Sequence, residues 1–461
     1  MKRELLRKLP RVDYLLKHKE LEEYGKEIDY YTFSKSIQKG ISFFRESILN
    51  DSILSFEEND VILKIKEILK KNSLYNLRKV INGTGTIIHT NLGRSLLPKN
   101  IERHFLDITT SYNNLEYDIE SGKRGSRNSH LEKLICKITG AEGAIIVNNN
   151  AAGVVLCLNE FAKEKEVVVS RGELVEIGGS FRIPEIMKFA GVNLVEVGTT
   201  NKTYIEDYEK SITENTAILM KVHTSNYRIQ GFTHEAKRDE INELAKRKNL
   251  ISIEDLGSGI LVDLSKYGIR KETTVQEVLK SGIDLVTFSG DKLLGGCQAG
   301  IIVGKKDLIE RLKKNQYLRT VRVDKITISI LEVIFRMYLD EREAVKNIPT
   351  LKYITEEINF VKNRAEKISL LLNENKILNR VIETKVDVGG GSLPEEKLES
   401  FGIEFLINLS PNEIEKRLRN LDVPIIGRIE KNKFIIDMKT IEDEDIEFVA
   451  QIIISEFEEN L

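Results

Sequence analysis

The sequence predicts an α/β protein: a mostly parallel central sheet, with a small helical domain before it and a smaller α+β domain after it. Three observations carry that reading. Residues 1–75 place apolar side chains in clusters at helical spacing and show no strand pattern. Near residue 80 the texture changes, and short apolar runs begin to alternate with helical segments among frequent glycines. From residue 326 a long helical stretch gives way to alternating helices and strands of modest length. The expected domains are therefore 1–75, 76–325 and 326–461. At 461 residues the chain is too long for one ordinary core.

In the first segment, Leu5, Leu6 and Leu9 and then Tyr14, Leu15 and Leu16 form short helical clusters, with Pro10 expected to separate them. Asp51 is expected to cap a following helix whose run 61–69 is amphipathic. In the middle segment, strands are expected at 144–147, 167–169, 194–197, 217–222, 250–253 and 285–288. Several are apolar on both faces, as parallel strands between helices must be. Helices are expected at 239–248 and 275–280. In the last segment, helices are expected at 356–373, from Pro411 to about Asn420 and after Asp443, with strands near 381–384, 404–407 and 433–436.

Composition narrows the function classes. Lys and Arg number 70 and Asp and Glu 72, so the formal charge is −2 and a uniformly basic, nucleic-acid-coating surface is excluded. Cys136, Cys157 and Cys297 are the three cysteines; they form no CxxC pair and suit neither a disulfide framework nor a Cys-rich zinc site. The six histidines show no HExxH spacing, and no metal is expected. With no apolar signal region and no long apolar span, a soluble cytoplasmic protein is expected.

The segment from Val286 to Gly300 is the most informative. Lys292 follows an expected strand end, Ser289 lies three residues before it, and glycines follow. A lysine that forms a Schiff base with a bound cofactor needs such a positioned turn, and glycines allow close backbone approach. Ser289 is suited to donating to a phosphate. Upstream, Asp255 ends another apolar strand, where a carboxylate can keep a pyridine nitrogen protonated. Taken alone, such an Asp is as often a helix cap or a metal ligand; paired with Lys292 it is more specific. A third feature is Asn149, Asn150 and Ala151, where a strand runs into a small polar turn and then an apolar helix. Free amides at a helix start make a phosphate cup, though an ordinary Asn-capped helix has the same look. The segment lacks the GxxxxGK[ST] form, which disfavours an ATP P-loop.

In that order, cup, aspartate and lysine resemble the fold-type I pyridoxal-phosphate enzymes. Longer segments carry the resemblance further. They are Leu6-Arg-Lys-Leu-Pro-Arg-Val-Asp-Tyr-Leu-Leu, Ile81-Asn-Gly-Thr-Gly-Thr-Ile-Ile-His-Thr-Asn-Leu-Gly-Arg, and Glu120-Ser-Gly-Lys-Arg-Gly-Ser-Arg. Val197-Gly-Thr-Thr-Asn, the run from Val222 to Gly231, the run from Tyr317 to Lys325, and Gly389-Gly-Gly-Ser-Leu-Pro complete the set. Across essentially the whole chain, the sequence resembles the bacterial L-seryl-tRNA(Sec) selenium transferases, or selenocysteine synthases.

The resemblance implies a PLP-dependent transferase that converts seryl-tRNA(Sec) to selenocysteyl-tRNA(Sec) with selenophosphate, through an aldimine of pyridoxal 5'-phosphate and an aminoacrylyl intermediate. It implies Lys292 as the Schiff-base lysine and α-proton base, and Asp255 as partner of the pyridinium nitrogen. It puts Asn149, Asn150, Ala151 and Ser289 at the cofactor phosphate and His223 at the ring or its hydroxyl. Arg94, Arg319 and Arg322 match segments that bind the anionic selenium donor, and Arg124 and Arg127 are further candidates. Residues 305–325 hold eight Lys or Arg against three acids, of which Lys305, Lys306, Lys313 and Lys314 are expected to face solvent. Arg319 and Arg322, three apart, share a face if that stretch is helical. The helical module is expected to grip the tRNA, in a homodecamer built from dimers with active sites at the dimer interface. Its first 20 residues are mildly basic, with seven basic against three acidic residues.

Two other readings compete. A related pyridoxal-phosphate lyase acting on a small amino acid or amino sugar would need neither the N-terminal module nor Arg94, Arg319 and Arg322. A non-catalytic RNA-binding protein of the same fold would have no need of both Lys292 and Asp255.

Overall fold

Apolar residues three and four apart build a helical N-terminal unit, and fully apolar runs build a sheet after it. The computed structural model describes residues 2–73, 75–177 and 181–458. The chain divides into two units, Met1–Val80 and Ile81–Leu461.

The first unit contains helices Lys2–Lys8, Val12–Leu15, Lys19–Glu27, Tyr30–Leu49 and Glu58–Ser73. Pro10 falls between the first two, where it breaks the hydrogen-bond ladder. Asp29 caps the longest helix by accepting from the Thr32 amide at 2.9 Å, which is worth about 1 kcal/mol. Its inward face, Phe33, Ile37, Ile41 and Phe44, packs with Val61, Ile62, Ile65 and Leu69 of the last helix. A Cβ at Gly40 would lie 2.3 Å from Ile65, so glycine lets these two helices meet. Asp51 does not cap the last helix. It sits in a left-handed turn at φ 58° and pairs with Lys2 at 2.7 Å, and the helix starts at Glu58.

The second unit is built on a seven-stranded sheet. Its strands are β1 (Gly143–Val147), β2 (Glu166–Ser170), β3 (Asn193–Val197), β4 (Thr216–Val222), β5 (Ile251–Gly257), β6 (Leu285–Ser289) and β7 (Gly300–Gly304). The spatial order is β1-β7-β6-β5-β4-β2-β3. All neighbours are parallel except β7, which runs antiparallel to both β6 and β1. No sequence pattern marks β7, a fully buried strand framed by glycines. A Cβ at Gly300 would lie 2.2 Å from the Asn149 carbonyl oxygen, so only glycine lets β7 pass the turn after β1.

Both faces of the sheet are covered. On one, helix Asn150–Ala162 packs Val154, Val155 and Leu158 with Ile145, Val167 and Met220. On the other, Ile146, Val286, Phe288 and Ile301 meet Leu131, Ile135 and Leu331. This double burial explains why these strands read as unbroken apolar runs. Helix Lys325–Met337 belongs to that second face through Ile328, Ile330 and Leu331. A further core gathers Val361, Ile368 and Leu372 of helix Ile358–Glu374 with Ile403, Phe434, Ile436 and Ile453. It covers a four-stranded antiparallel sheet of β8 (Asn379–Gly389), β9 (Ser392–Phe405), β10 (Arg428–Glu430) and β11 (Lys433–Asp437), ordered β8-β9-β11-β10. The strand expected at 404–407 overlaps only the last two residues of the much longer β9, which ends at Phe405. Among the described residues, no helix is long and apolar enough to cross a membrane.

Candidate active site

Pairing of β4, β5 and β6 brings Val222, Asp255 and Thr287 into register at the carboxyl edge of the sheet. Ligands of parallel α/β sheets gather at this edge. His223 directly follows β4, Asp255 lies near the end of β5, Ser289 ends β6, and Lys292 stands three residues beyond.

Asp255 is 4% exposed. Its Oδ1 accepts from Asn150 Nδ2 at 2.7 Å and from Thr287 Oγ1 at 3.4 Å. Burial pushes its carboxyl above the usual carboxylate range, opposed by the Asn150 amide and the nearby Lys292 and His223. Lys292 is also buried, at 8% exposed. Burial lowers the pKa of its amine, against the pull of Asp255 and Asp291, while Arg94 pushes it further down. The site therefore holds a carboxyl biased toward the neutral form and an amine biased toward the free base.

The Lys292 turn is held from several sides. Leu293 N donates to Ser258 O at 3.1 Å, Gly295 N to Lys292 O at 2.9 Å, and Gly296 N to Gly290 O at 2.8 Å. From the segment after β-paired Ile81–Asn82, Ser95 Oγ reaches the carbonyl oxygens of Lys292 at 2.6 Å and Asp291 at 2.9 Å. Arg94, in a left-handed conformation at φ 62°, pairs with Asp291 at 2.6 Å. No sequence pattern marks Ser95: a serine beside an arginine carries no signal until the fold sets it against the lysine.

Asn149 caps helix Asn150–Ala162, its Oδ1 accepting from the Ala152 amide at 2.9 Å. The Asn149 side chain is used by the cap, and Asn150 and Ala151 open the helix. Ser289 is buried at the end of β6. His223 Nε2 lies 3.2 Å from Oε1 of the buried Glu272, a neighbour no sequence pattern announced.

Arg124, Arg127, Arg319 and Arg322 converge on one cavity of about 350 Å³. Glu116, Lys313 and Lys314 also line it. Arg94 does not line it and is engaged by Asp291 instead. Arg319 and Arg322 do not share a helix face, because the helix Tyr317–Thr320 ends between them. Arg322 instead bridges to Val147 at the end of β1, and Asn148 N donates to Val321 O at 3.0 Å. The chain reversal, rather than helical spacing, brings the two arginines to one cavity. It sets Arg322 beside the turn whose Asn150 holds Asp255. Lys313 does not simply face solvent: it pairs with Glu132 at 2.7 Å and Glu310 at 2.8 Å. Lys305 pairs with the buried Asp284 at 2.5 Å.

A family model for L-seryl-tRNA selenium transferase matches residues 80–442. A Clostridium botulinum protein named L-seryl-tRNA(Sec) selenium transferase is 47% identical over 453 residues, covering 98% of each chain. One of the same name from Desulfotalea psychrophila is 48% identical over 464 residues, covering 99% of each. Among solved structures, a D-glucosaminate-6-phosphate ammonia-lyase aligns with a TM-score of 0.59 at 20% identity, over 83% of this chain and 96% of that one. This likeness concerns the fold, which is that of the fold-type I pyridoxal-phosphate enzymes. Sequence identity of this extent, running through both units, shows that the chain belongs to the L-seryl-tRNA(Sec) selenium transferase family.

Proposed function

We propose that this chain converts seryl-tRNA(Sec) to selenocysteyl-tRNA(Sec), taking selenium from selenophosphate and using pyridoxal 5'-phosphate. The observation that carries the reading is the buried pair of Lys292 and Asp255 at one sheet edge, in a chain that matches named transferases along nearly its whole length.

The residues fit the cofactor. Asn150 Oδ1, His223 Nδ1 and Ser258 Oγ are buried without a hydrogen-bond partner among the described residues. Buried polar atoms are costly to leave unpaired, so these suit a site completed by a polar guest. Lys292 would hold its aldehyde carbon, Asp255 its ring nitrogen, and His223 its ring. Asn149, Asn150 and Ala151 at the helix start, with Ser289, would hold its phosphate. When bound, the cofactor supplies an electron sink for negative charge at the serine Cα.

The chain's own residues do the rest. With the cofactor in place, Asp255 would face its ring nitrogen as a carboxylate and hold a proton there. Lys292, once the serine amino group has taken its place on the cofactor, would have a free amine whose pKa burial lowers, suited to take the serine Cα proton and pass it to the departing hydroxyl, which leaves as water. Arg319 and Arg322, with Arg124 and Arg127, offer planar donors to the oxygens of the anionic selenium donor. Arg94 borders the Lys292 turn rather than the arginine cavity, and is proposed to meet the donor where it approaches that turn. We assign the N-terminal unit to tRNA binding and the assembly to a cytoplasmic homodecamer of dimers, as the family resemblance implies. The alignment of the relatives through that unit supports its belonging to the same activity.

Incubation with pyridoxal 5'-phosphate, selenophosphate and seryl-tRNA tests the reading. The expected result is selenium covalently bound to the tRNA-linked amino acid, with free serine unconverted. Release of ammonia from a free amino acid or amino sugar without tRNA would favour the lyase. Arg319→Ala should raise the KM for selenophosphate by about 10- to 100-fold, the cost of one charge-assisted contact. Charged-tRNA binding should stay unchanged. An equal loss in both would put Arg319 outside the donor site.

A further inference from the structure

The arginine cavity already contains an anion of its own. Glu116 lies among the four arginines, one-third exposed, on the segment leading into the hairpin of Tyr117–Asp118 and Lys123–Arg124. Its Oε1 accepts from Arg127 Nε at 3.1 Å and Arg127 Nη2 at 2.5 Å. Its Oε2 accepts from Arg124 Nη2 at 3.2 Å. Arg322 Nη1 approaches Oε1 at 3.7 Å. Hydrogen bonding from Arg127 holds the Glu116 carboxyl below the usual range, so it stays ionised at neutral pH. The other acids near the cavity have different partners: Glu132 and Glu310 pair with Lys313. Arg127 is fixed independently, since its Nη1 also donates to the Val323 carbonyl oxygen.

We propose that Glu116 is an internal counter-ion that an incoming anion must displace, and that it sets which anions the cavity accepts. This rests on the reading of the arginine cavity as the donor site. The carboxylate uses the same planar guanidinium donors that an oxyanion would use. A singly charged anion gains little by replacing a tethered carboxylate of equal charge, whose local concentration is high. A multiply charged tetrahedral oxyanion gains an extra charge and extra acceptor oxygens, so it wins the exchange. Glu116 thereby keeps the arginines paired between turnovers and biases the cavity toward phosphate-like dianions over chloride or small carboxylates. Arg319 has no ion pair to Glu116 within 4 Å among the described residues, which leaves it as the first contact for an arriving anion.

Calorimetry with inorganic phosphate tests this, using the enzyme saturated with pyridoxal 5'-phosphate so that the cofactor cup is filled. Glu116→Gln preserves the side-chain shape and removes the charge. It should tighten phosphate binding about fivefold, the yield of removing roughly 1 kcal/mol of competing ion pairing. It should also let acetate or chloride compete at concentrations that do not affect the unaltered enzyme. Glu116→Ala should tighten phosphate in the same direction, which guards against an artefact of the amide. Arg319→Ala is the control for the site itself and should weaken phosphate. If Arg319→Ala weakens phosphate but both Glu116 variants leave it unchanged or weaker, the counter-ion proposal is overturned and Glu116 is a strut that positions the arginines. If Arg319→Ala has no effect, the donor-site reading fails and the proposal falls with it.

Discussion

Lys292→Ala should lower turnover by at least about 10⁴-fold, because it removes both the covalent anchor and the proton-transfer group. The backbone of the turn should survive. Its hydrogen bonds run through main-chain atoms of Lys292, Leu293 and Gly295 and through the Ser95 hydroxyl, none of which needs the amine. Removal of a buried, desolvated amine also relieves a cost, since burial lowers the Lys292 pKa. The variant should bind charged tRNA within about twofold of the unaltered enzyme, because Lys292 is buried and the tRNA grip is assigned to the N-terminal unit. Turnover measured beside equilibrium tRNA binding checks this. Joint loss of both would indicate a damaged fold, and retention of substantial turnover would remove Lys292 from the chemistry.

Asp255→Asn should lower turnover by about 10²- to 10³-fold, the scale for losing one aimed electrostatic contact at a reacting centre. Its effect on stability should have the opposite sign in the cofactor-free protein. The folded-state pKa of Asp255 is raised by burial, so the folded protein binds more protons than the unfolded chain above the ordinary value of 3.8. Stability from this group is therefore lost as pH rises from that value through the raised folded pKa, and at neutral pH the buried charge is a net cost. Asparagine removes the cost and still offers an oxygen to Asn150. The cofactor-free variant should unfold at an equal or higher temperature at neutral pH, while the thermal gain on adding pyridoxal 5'-phosphate shrinks. A lower melting temperature without cofactor would show that the ionised carboxylate is structural.

The sequence carried β4, β5 and β6, though β5 runs on to Gly257 past its expected end at 253, and with them His223, Asp255, Ser289 and Lys292, because parallel strands buried on both faces are nearly uninterrupted apolar runs. It did not carry β7, whose five buried residues are bounded by Gly300 and Gly304 and merge with the glycines after Lys292. Nor did it reveal the length of β9, in which Pro394 and the left-handed Leu393 and Glu395 mask strand character near its start. The contacts that define the site join distant segments. Asn150 reaches Asp255 across 105 positions, and Ser95 and Arg94 reach the Lys292 turn across nearly 200. Local pattern has no access to such pairs. The spacing of Arg319 and Arg322 pointed to a common site for the wrong physical reason, since a helix end and a bridge to β1 bring them together. Glu116 and Glu272 gave no signal, because a lone acid becomes informative only when its cationic neighbours are known in space.

The most direct test is the visible absorption spectrum of the purified protein with pyridoxal 5'-phosphate, recorded before and after adding seryl-tRNA(Sec). Lysine-bound cofactor gives a visible band, which should shift on adding the charged tRNA and stay unchanged with free serine or uncharged tRNA. A band that ignores charged tRNA and responds to free amino acids would contradict a tRNA-dependent transferase, and no band at all would contradict the assignment of Lys292 and Asp255.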